Sequence, residues 1–155
     1  MNGTIQIRRA QPIDAEALAA LTLASKNHWN YGTPQIAIWR DELSISSDYI
    51  RQNAVYKLQL DVDLVGFYAY EHLKTGAVKL NFLFVAPRYI GHGYGGLLLN
   101  DFLKRVKGTV ATKILLDADP HAQAFYAKYG FKVIGQLPSS IPGRTLPIMQ
   151  LEPEE

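Results

Sequence analysis

Four glycines fall within the six residues Gly91-His92-Gly93-Tyr94-Gly95-Gly96, between a β-rich run that ends at Val85 and a Leu-rich run that begins at Leu97. Glycine loses more conformational freedom on folding than any other residue, so a cluster this dense is costly unless the backbone must bend or be approached closely. A strand-to-helix turn needs both. Its amides can converge on an anion at the positive end of the helix dipole, and a diphosphate is the natural guest. Gly91-x-Gly93-x-x-Gly96 also has the spacing of a dinucleotide fingerprint, with Asp117 about twenty residues further on. That reading needs more βαβ units downstream, yet fewer than forty residues follow Asp117 and most of the chain precedes the glycines. A nucleoside triphosphate loop is excluded, because no Gly-Lys-Ser/Thr follows to reach the outer phosphates.

The elements that must position this turn can be traced along the chain. Thr4 to Arg8 alternates like a first strand, and Pro12 and Asp14 open an Ala/Leu-rich helix with Leu18, Leu21 and Thr22 on its inner face. A polar and aromatic loop follows, Asn27-His28-Trp29-Asn30-Tyr31-Gly32-Thr33, then two short helix-like pieces around Ile36 to Leu43 and Ser47 to Arg51. Val55 to Leu60 and Leu64 to His72 read as a hairpin across Asp61-Val62-Asp63, and Val78 to Val85 as the next strand. Past the glycines, Leu98, Leu99, Phe102, Leu103 and Val106 make one apolar helix face, closed by Lys104, Arg105, Lys107 and Gly108. Lys113 to Leu116 is a short strand. Asp119-Pro120 starts a helix that carries Ala122, Phe125, Tyr126 and Tyr129 on one face and ends at Gly130, and Phe131 to Ile134 with Leu146 to Leu151 complete the sheet.

Composition bounds the reading. The 155 residues fit one domain spanning 1–155, and 48% hydrophobic with 19% charged residues describes a chain that buries a core. A formal charge of +2 with no like-charge run longer than Arg8-Arg9 argues against a nucleic-acid groove. No apolar stretch approaches a membrane span, so no membrane partner is expected. The absence of cysteine removes disulfides and thiol nucleophiles and suits the reducing cytoplasm. The four histidines show no i, i+4 pairing, so no metal is expected. A homodimer is left open.

From Val85 and Pro87 through Ile90-Gly91-His92-Gly93-Tyr94-Gly95 into the Leu-rich helix, the chain resembles the GNAT superfamily of acetyl-CoA-dependent N-acetyltransferases. In that pattern Ile90 stands where Arg or Gln is usual, and Arg88-x-x-Gly91-x-Gly93 fits two residues earlier. A second block, Asp119-Pro120-His121-Ala122 to Phe125-Tyr126 and Gly130-Phe131, is similar to the family's Asn-x-x-Ala, Phe-Tyr and Gly-Phe block, with Asp119 in place of Asn. The resemblance implies an α/β fold with a mixed, strongly twisted sheet and flanking helices. Its two central strands, Val78 to Val85 and Lys113 to Leu116, would splay to admit the pantetheine arm of acetyl-CoA. Leu83, Phe84 and Val85 would then offer main-chain groups to that arm, and Gly91, His92, Gly93, Tyr94, Gly95 and Gly96 would hold the pyrophosphate. Asp119 and Tyr126 complete the expected cofactor contacts.

Acetyl transfer needs a neutral amine, a donor for the developing oxyanion and a proton for the departing thiolate. The resemblance implies Tyr126 as the proton donor, against a core tyrosine on the helix pattern alone, and a main-chain N–H near Phe84 or Val85 for the oxyanion. Asn81 shares a strand face with Lys79 and is expected to face the cleft, where an amide can orient a water. Glu71, His72, Asp41 and His28 are the titratable alternatives for a base. His28, Trp29 and Tyr31, with Trp39, would lie over the acceptor end and hold a cationic amine by cation–π contact. The acceptor would be an amine on a small molecule or peptide. The competing class is a non-catalytic acyl-CoA-binding or sensor domain of the same fold.

Overall fold

The alternating hydrophobic runs of the first half fold into four antiparallel neighbours. β1 (Ile5–Arg9), β2 (Ala54–Leu60), β3 (Asp63–His72) and β4 (Val78–Val85) lie side by side in chain order. The structure is a computed structural model and describes residues 3–28, 45–139 and 143–152. The β2–β3 hairpin turns at Asp61, whose φ of 54° places it in the left-handed region and whose side chain accepts from the Thr4 amide. After β4 the chain crosses over through α3 (Tyr94–Lys107) to β5 (Ile114–Asp117), which is parallel to β4, and β7 (Thr145–Leu151) inserts between β5 and β6 (Lys132–Pro138). The full order is β1-β2-β3-β4-β5-β7-β6.

Each sheet face has its own core. On one face α3 sets Leu98, Leu99, Phe102 and Val106 against Leu80, Ile114, Leu116 and Met149, joined by Tyr126 and Phe131. On the other, α1 (Ala15–Asn27) brings Leu18 and Leu21, and α2 (Ser47–Gln52) brings Ile50, against Val55, Phe67 and Ala69. α3 is also pinned by polar groups. Tyr68, fully buried on β3, donates to Asp101 at 2.5 Å, and Arg105 donates to both. Burial first, and the adjoining carboxylate second, push the Tyr68 phenol far above its ordinary value.

Most expected elements are present within a residue or two. The helix expected from Asp119 is instead a 3-10 turn, Pro120–Ala122, followed by a short α4 (Gln123–Ala127), with Asp119 capping the His121 amide. Strand β6 runs on to Pro138, because β7 supplies a partner as far as Thr145. The piece around Ile36 to Leu43 lies outside the described residues. No helix among the described residues is long and apolar enough to cross a membrane.

Candidate active site

Parallel strands β4 and β5 pair at only two levels, Val78 with Ile114 and Lys79 with Leu115, and then part. What leaves the gap useful is a bulge. β3 residues Ala69 and Tyr70 face Phe82 and Leu80, so Asn81 is an extra residue on β4. Val78 N–H donates toward β5, to Lys113 O, while Ala86 N–H donates toward β3, to Val65 O. Counting inward from both ends, with Asn81 reversing the alternation, sends the N–H groups of Leu83 and Val85 into the gap. Phe84 N–H turns back to β3, opposite Phe67. Phe84 therefore lines the cleft without offering it an N–H, where the resemblance had implied a main-chain contact as for Leu83 and Val85.

The gap opens into a cleft of about 560 Å³. Lining it are β4 from Leu80 to Val85, the turn residues Gly91, Gly93, Tyr94, Gly95 and Gly96, and the end of β5 from Leu116 to Asp119. Gly91 and Gly93 have φ of 88° and 85°, a region that side chains rarely adopt, and a Cβ built on either meets no atom within 4 Å. The first helical bond that closes across this turn is Leu97 N–H to Gly93 O. The amides of Tyr94, Gly95 and Gly96 thus have no backbone acceptor among the described residues, as expected for a helix start. Open space at Gly91 and Gly93, amides without a backbone acceptor and the positive end of a 14-residue helix together fit a pyrophosphate.

Tyr126 is 8% exposed and lines the cleft; its hydroxyl bonds to no other described residue and is not sealed from solvent. Burial first, and the charge of Asp119 second, push its phenol well above the ordinary value. Asp119 pairs with Lys26 of α1 at 2.9 Å and Arg144 at 3.5 Å, besides accepting from the His121 amide. Its burial would raise the carboxyl, but Lys26, the His121 amide and Arg144 together outweigh that and hold it below the usual range. Asn81 donates through Nδ2 to the Tyr49 hydroxyl at 2.9 Å.

The sequence had placed most of these residues in one site, and the fold gathers Asn81, Leu83, Phe84, Val85, Gly91, Gly93, Tyr94, Gly95, Gly96, Asp119 and Tyr126 around one cleft. His92 is exposed and lies outside the lining, as do His28, Glu71 and His72. Trp29, Tyr31, Trp39 and Asp41 lie outside the described residues. Lys26, Asp117, His121 and Phe125 line the cleft without having been expected there. Asp117 had a readable signal: it ends a parallel strand, where open α/β sheets bind their ligands.

Comparison with known proteins agrees with this geometry. A family model described as an acetyltransferase (GNAT) domain matches residues 39–141. The Escherichia coli K12 protein described as uncharacterized N-acetyltransferase YafP is 28% identical over 139 residues, covering 85% of this chain and 84% of that protein. The PaiA N-acetyltransferase of Thermoplasma acidophilum, solved in complex with coenzyme A, superposes with a TM-score of 0.78 at 22% identity, over 96% of this chain and 99% of that one. YncA of Salmonella typhimurium, solved with its cofactor acetyl-CoA, gives 0.70 at 20% identity, over 98% and 95%. At such identities the superpositions establish the fold, and the domain model, which spans most of the chain, establishes the family. The parted strands, the amide-lined turn and these matches lead to one conclusion: the chain belongs to the GNAT family and is an acetyl-CoA-dependent N-acetyltransferase.

Proposed function

We propose that this single-domain enzyme transfers the acetyl group by direct attack of a primary amine, with acceptor and acetyl-CoA bound together in the β4–β5 cleft. The observation that carries the reading is the bulge at Asn81, which leaves Leu83 and Val85 N–H groups facing the gap beside the glycine turn. Those N–H groups are placed to pair with the pantetheine arm and with the carbonyl oxygen as it gains charge. The amides from Gly91 to Gly96 hold the pyrophosphate, and no metal takes part.

The chemistry balances without an outside reagent. The acceptor ammonium first gives one proton to cleft water. The nitrogen lone pair then bonds to the acyl carbon, and the C–S bond breaks with its electron pair on sulfur. The second nitrogen proton ends on sulfur, so the products are an amide, a thiol and one proton in solvent. Tyr126 hydrogen-bonds to the sulfur as charge gathers there. A thiol titrates near ~8.5 and this phenol well above ~10, so the phenol keeps its proton and donates a hydrogen bond. The proton itself comes from the nitrogen, which is strongly acidic once bonded to the acyl carbon.

The acceptor is proposed to be an amine on a small molecule or peptide. Among structural relatives, one from Escherichia coli is a ribosomal-protein-S18-alanine N-acetyltransferase, with a TM-score of 0.76 at 15% identity. A peptide with N-terminal alanine therefore belongs in the assay panel, beside a polyamine and an aminoglycoside. The test is thiol release from acetyl-CoA across that panel. Turnover of one amine is expected; CoA binding without turnover of any would return the chain to the binding-module reading. The cysteine-free chain suits a reducing compartment, and the cytoplasm is the proposed location.

A further inference from the structure

Lys79 marks the last level at which β4 and β5 are paired. The first polar residues past the fork are Asn81 on β4 and Asp117 on β5, and both line the cleft. They share the α1–α2 face of the sheet. Ile114 and Leu116 belong to the α3 core, which turns Asp117 to the opposite side, and Asn81 reaches Tyr49 of α2.

Each polar head is held by one atom from outside the cleft lining. Asn81 spends Nδ2 on the Tyr49 hydroxyl at 2.9 Å, and Asp117 spends Oδ2 on Lys79 Nζ at 3.0 Å. Tyr49 is itself fixed: its amide donates to the Ser46 cap at 3.0 Å, and its ring meets the edge of Phe82 at 5.6 Å. Asn81 Oδ1 and Asp117 Oδ1 are left, and neither accepts a hydrogen bond from another described residue. A neutral primary amine aiming its lone pair at an acyl carbon has two N–H groups pointing away, each needing an acceptor. Two oxygens on opposite arms of the fork meet that need.

We propose that Asn81 Oδ1 and Asp117 Oδ1 seat the two N–H groups of the attacking amine, and that Tyr49 and Lys79 are positioning residues that fix the amide and carboxylate for this. The inference rests on the acetyl-transfer reading above. It assigns Asp117 and Lys79 a part in acceptor recognition, and it expects an N-methyl derivative of a good acceptor to react poorly, because one N–H is gone.

The test uses whichever amine of the panel the wild-type enzyme turns over fastest, so a failure of turnover strikes the functional reading and not this one. In Asp117→Asn, Lys79 claims the new amide's oxygen, and an NH2 group faces the amine. Acceptor kcat/KM should fall by more than about tenfold while the acetyl-CoA KM stays within about twofold. Tyr49→Phe should lower acceptor kcat/KM by roughly fivefold in the wild-type background and leave it unchanged in an Asn81→Ala background, since the pair acts as a unit. Should Asp117→Asn fail to fold, Lys79→Ala and Lys79→Gln replace it: the first should lose acceptor kcat/KM, and the second, which can still donate to Asp117, should recover most of it. Wild-type acceptor kinetics in Asp117→Asn, equal kinetics in the two Lys79 variants, or the same Tyr49→Phe loss in both backgrounds would each overturn the proposal.

Discussion

Tyr126 is wanted by two demands at once, since the core beneath α4 needs a large apolar ring and the cleft needs a hydroxyl. A helical pattern cannot separate them, and only the block it shares with the family pointed to chemistry. Phe supplies the ring alone. Tyr126→Phe should therefore leave the melting temperature and acetyl-CoA affinity near wild type. A hydrogen bond to a forming thiolate is worth about 1.5–3 kcal/mol, so kcat should fall roughly tenfold to hundredfold when chemistry limits the rate. The raised phenol adds a pH expectation: wild-type kcat should show no downward limb near pH ~10 from loss of this proton. An unchanged kcat in steady-state assays would leave Tyr126 as packing.

Among the elements, β4 and α3 meet at the cleft and can be tested together through Gly95. Gly93 is a poor place to test the turn, because its φ of 85° strains any side chain whether or not a ligand binds. Gly95 is helical, and a methyl there meets Phe125 at 3.6 Å and Val85 at 4.0 Å, ordinary contacts within the cleft lining. Gly95→Ala should stabilise the free protein by up to about 0.5 kcal/mol through helix propensity. It should also weaken CoA at least tenfold, about 1.4 kcal/mol, by calorimetry. Loss of stability together with affinity would mean the methyl disturbs the fold. The bounds of β4, the amphipathic α3 and the shared face of Lys79 and Asn81 were all legible in the sequence, because periodicity and capping are local. The bulge was not, because it is a mismatch of count between two strands and exists only once β3 is in place. For the same reason Asp117, once the dinucleotide fingerprint was set aside, had no part in the expected site until β4 lay beside it.

Across the whole molecule, Asp119 joins three segments that no single core unites: α1 through Lys26, the start of the Pro120–Ala122 turn, and the β7 approach through Arg144. Its carboxyl titrates lower folded than unfolded, so it contributes stability above the unfolded value near ~3.9 and loses it as pH falls through the lower folded value. Asp119→Asn should cost on the order of 2 kcal/mol at neutral pH, roughly 4–8 °C in Tm. Melting curves of both proteins should begin to close as pH falls below about 4 and meet only beneath the lower folded value; a gap independent of pH would show that the ion pairs are not its source. The bulge at Asn81 also behaves like a frame in the sheet. The backbone groups from Phe82 to Val85 keep their directions only while Asn81 stays unpaired; a ladder that absorbed it as an ordinary paired residue would reverse the phase of the strand beyond it. Leu83 and Val85 would be stitched to β3, and Phe84 would face the gap with its ring transferred to the opposite core. A one-residue slip of β4 against β3 at this point would therefore keep the sheet and lose the groups that are proposed to read the thioester.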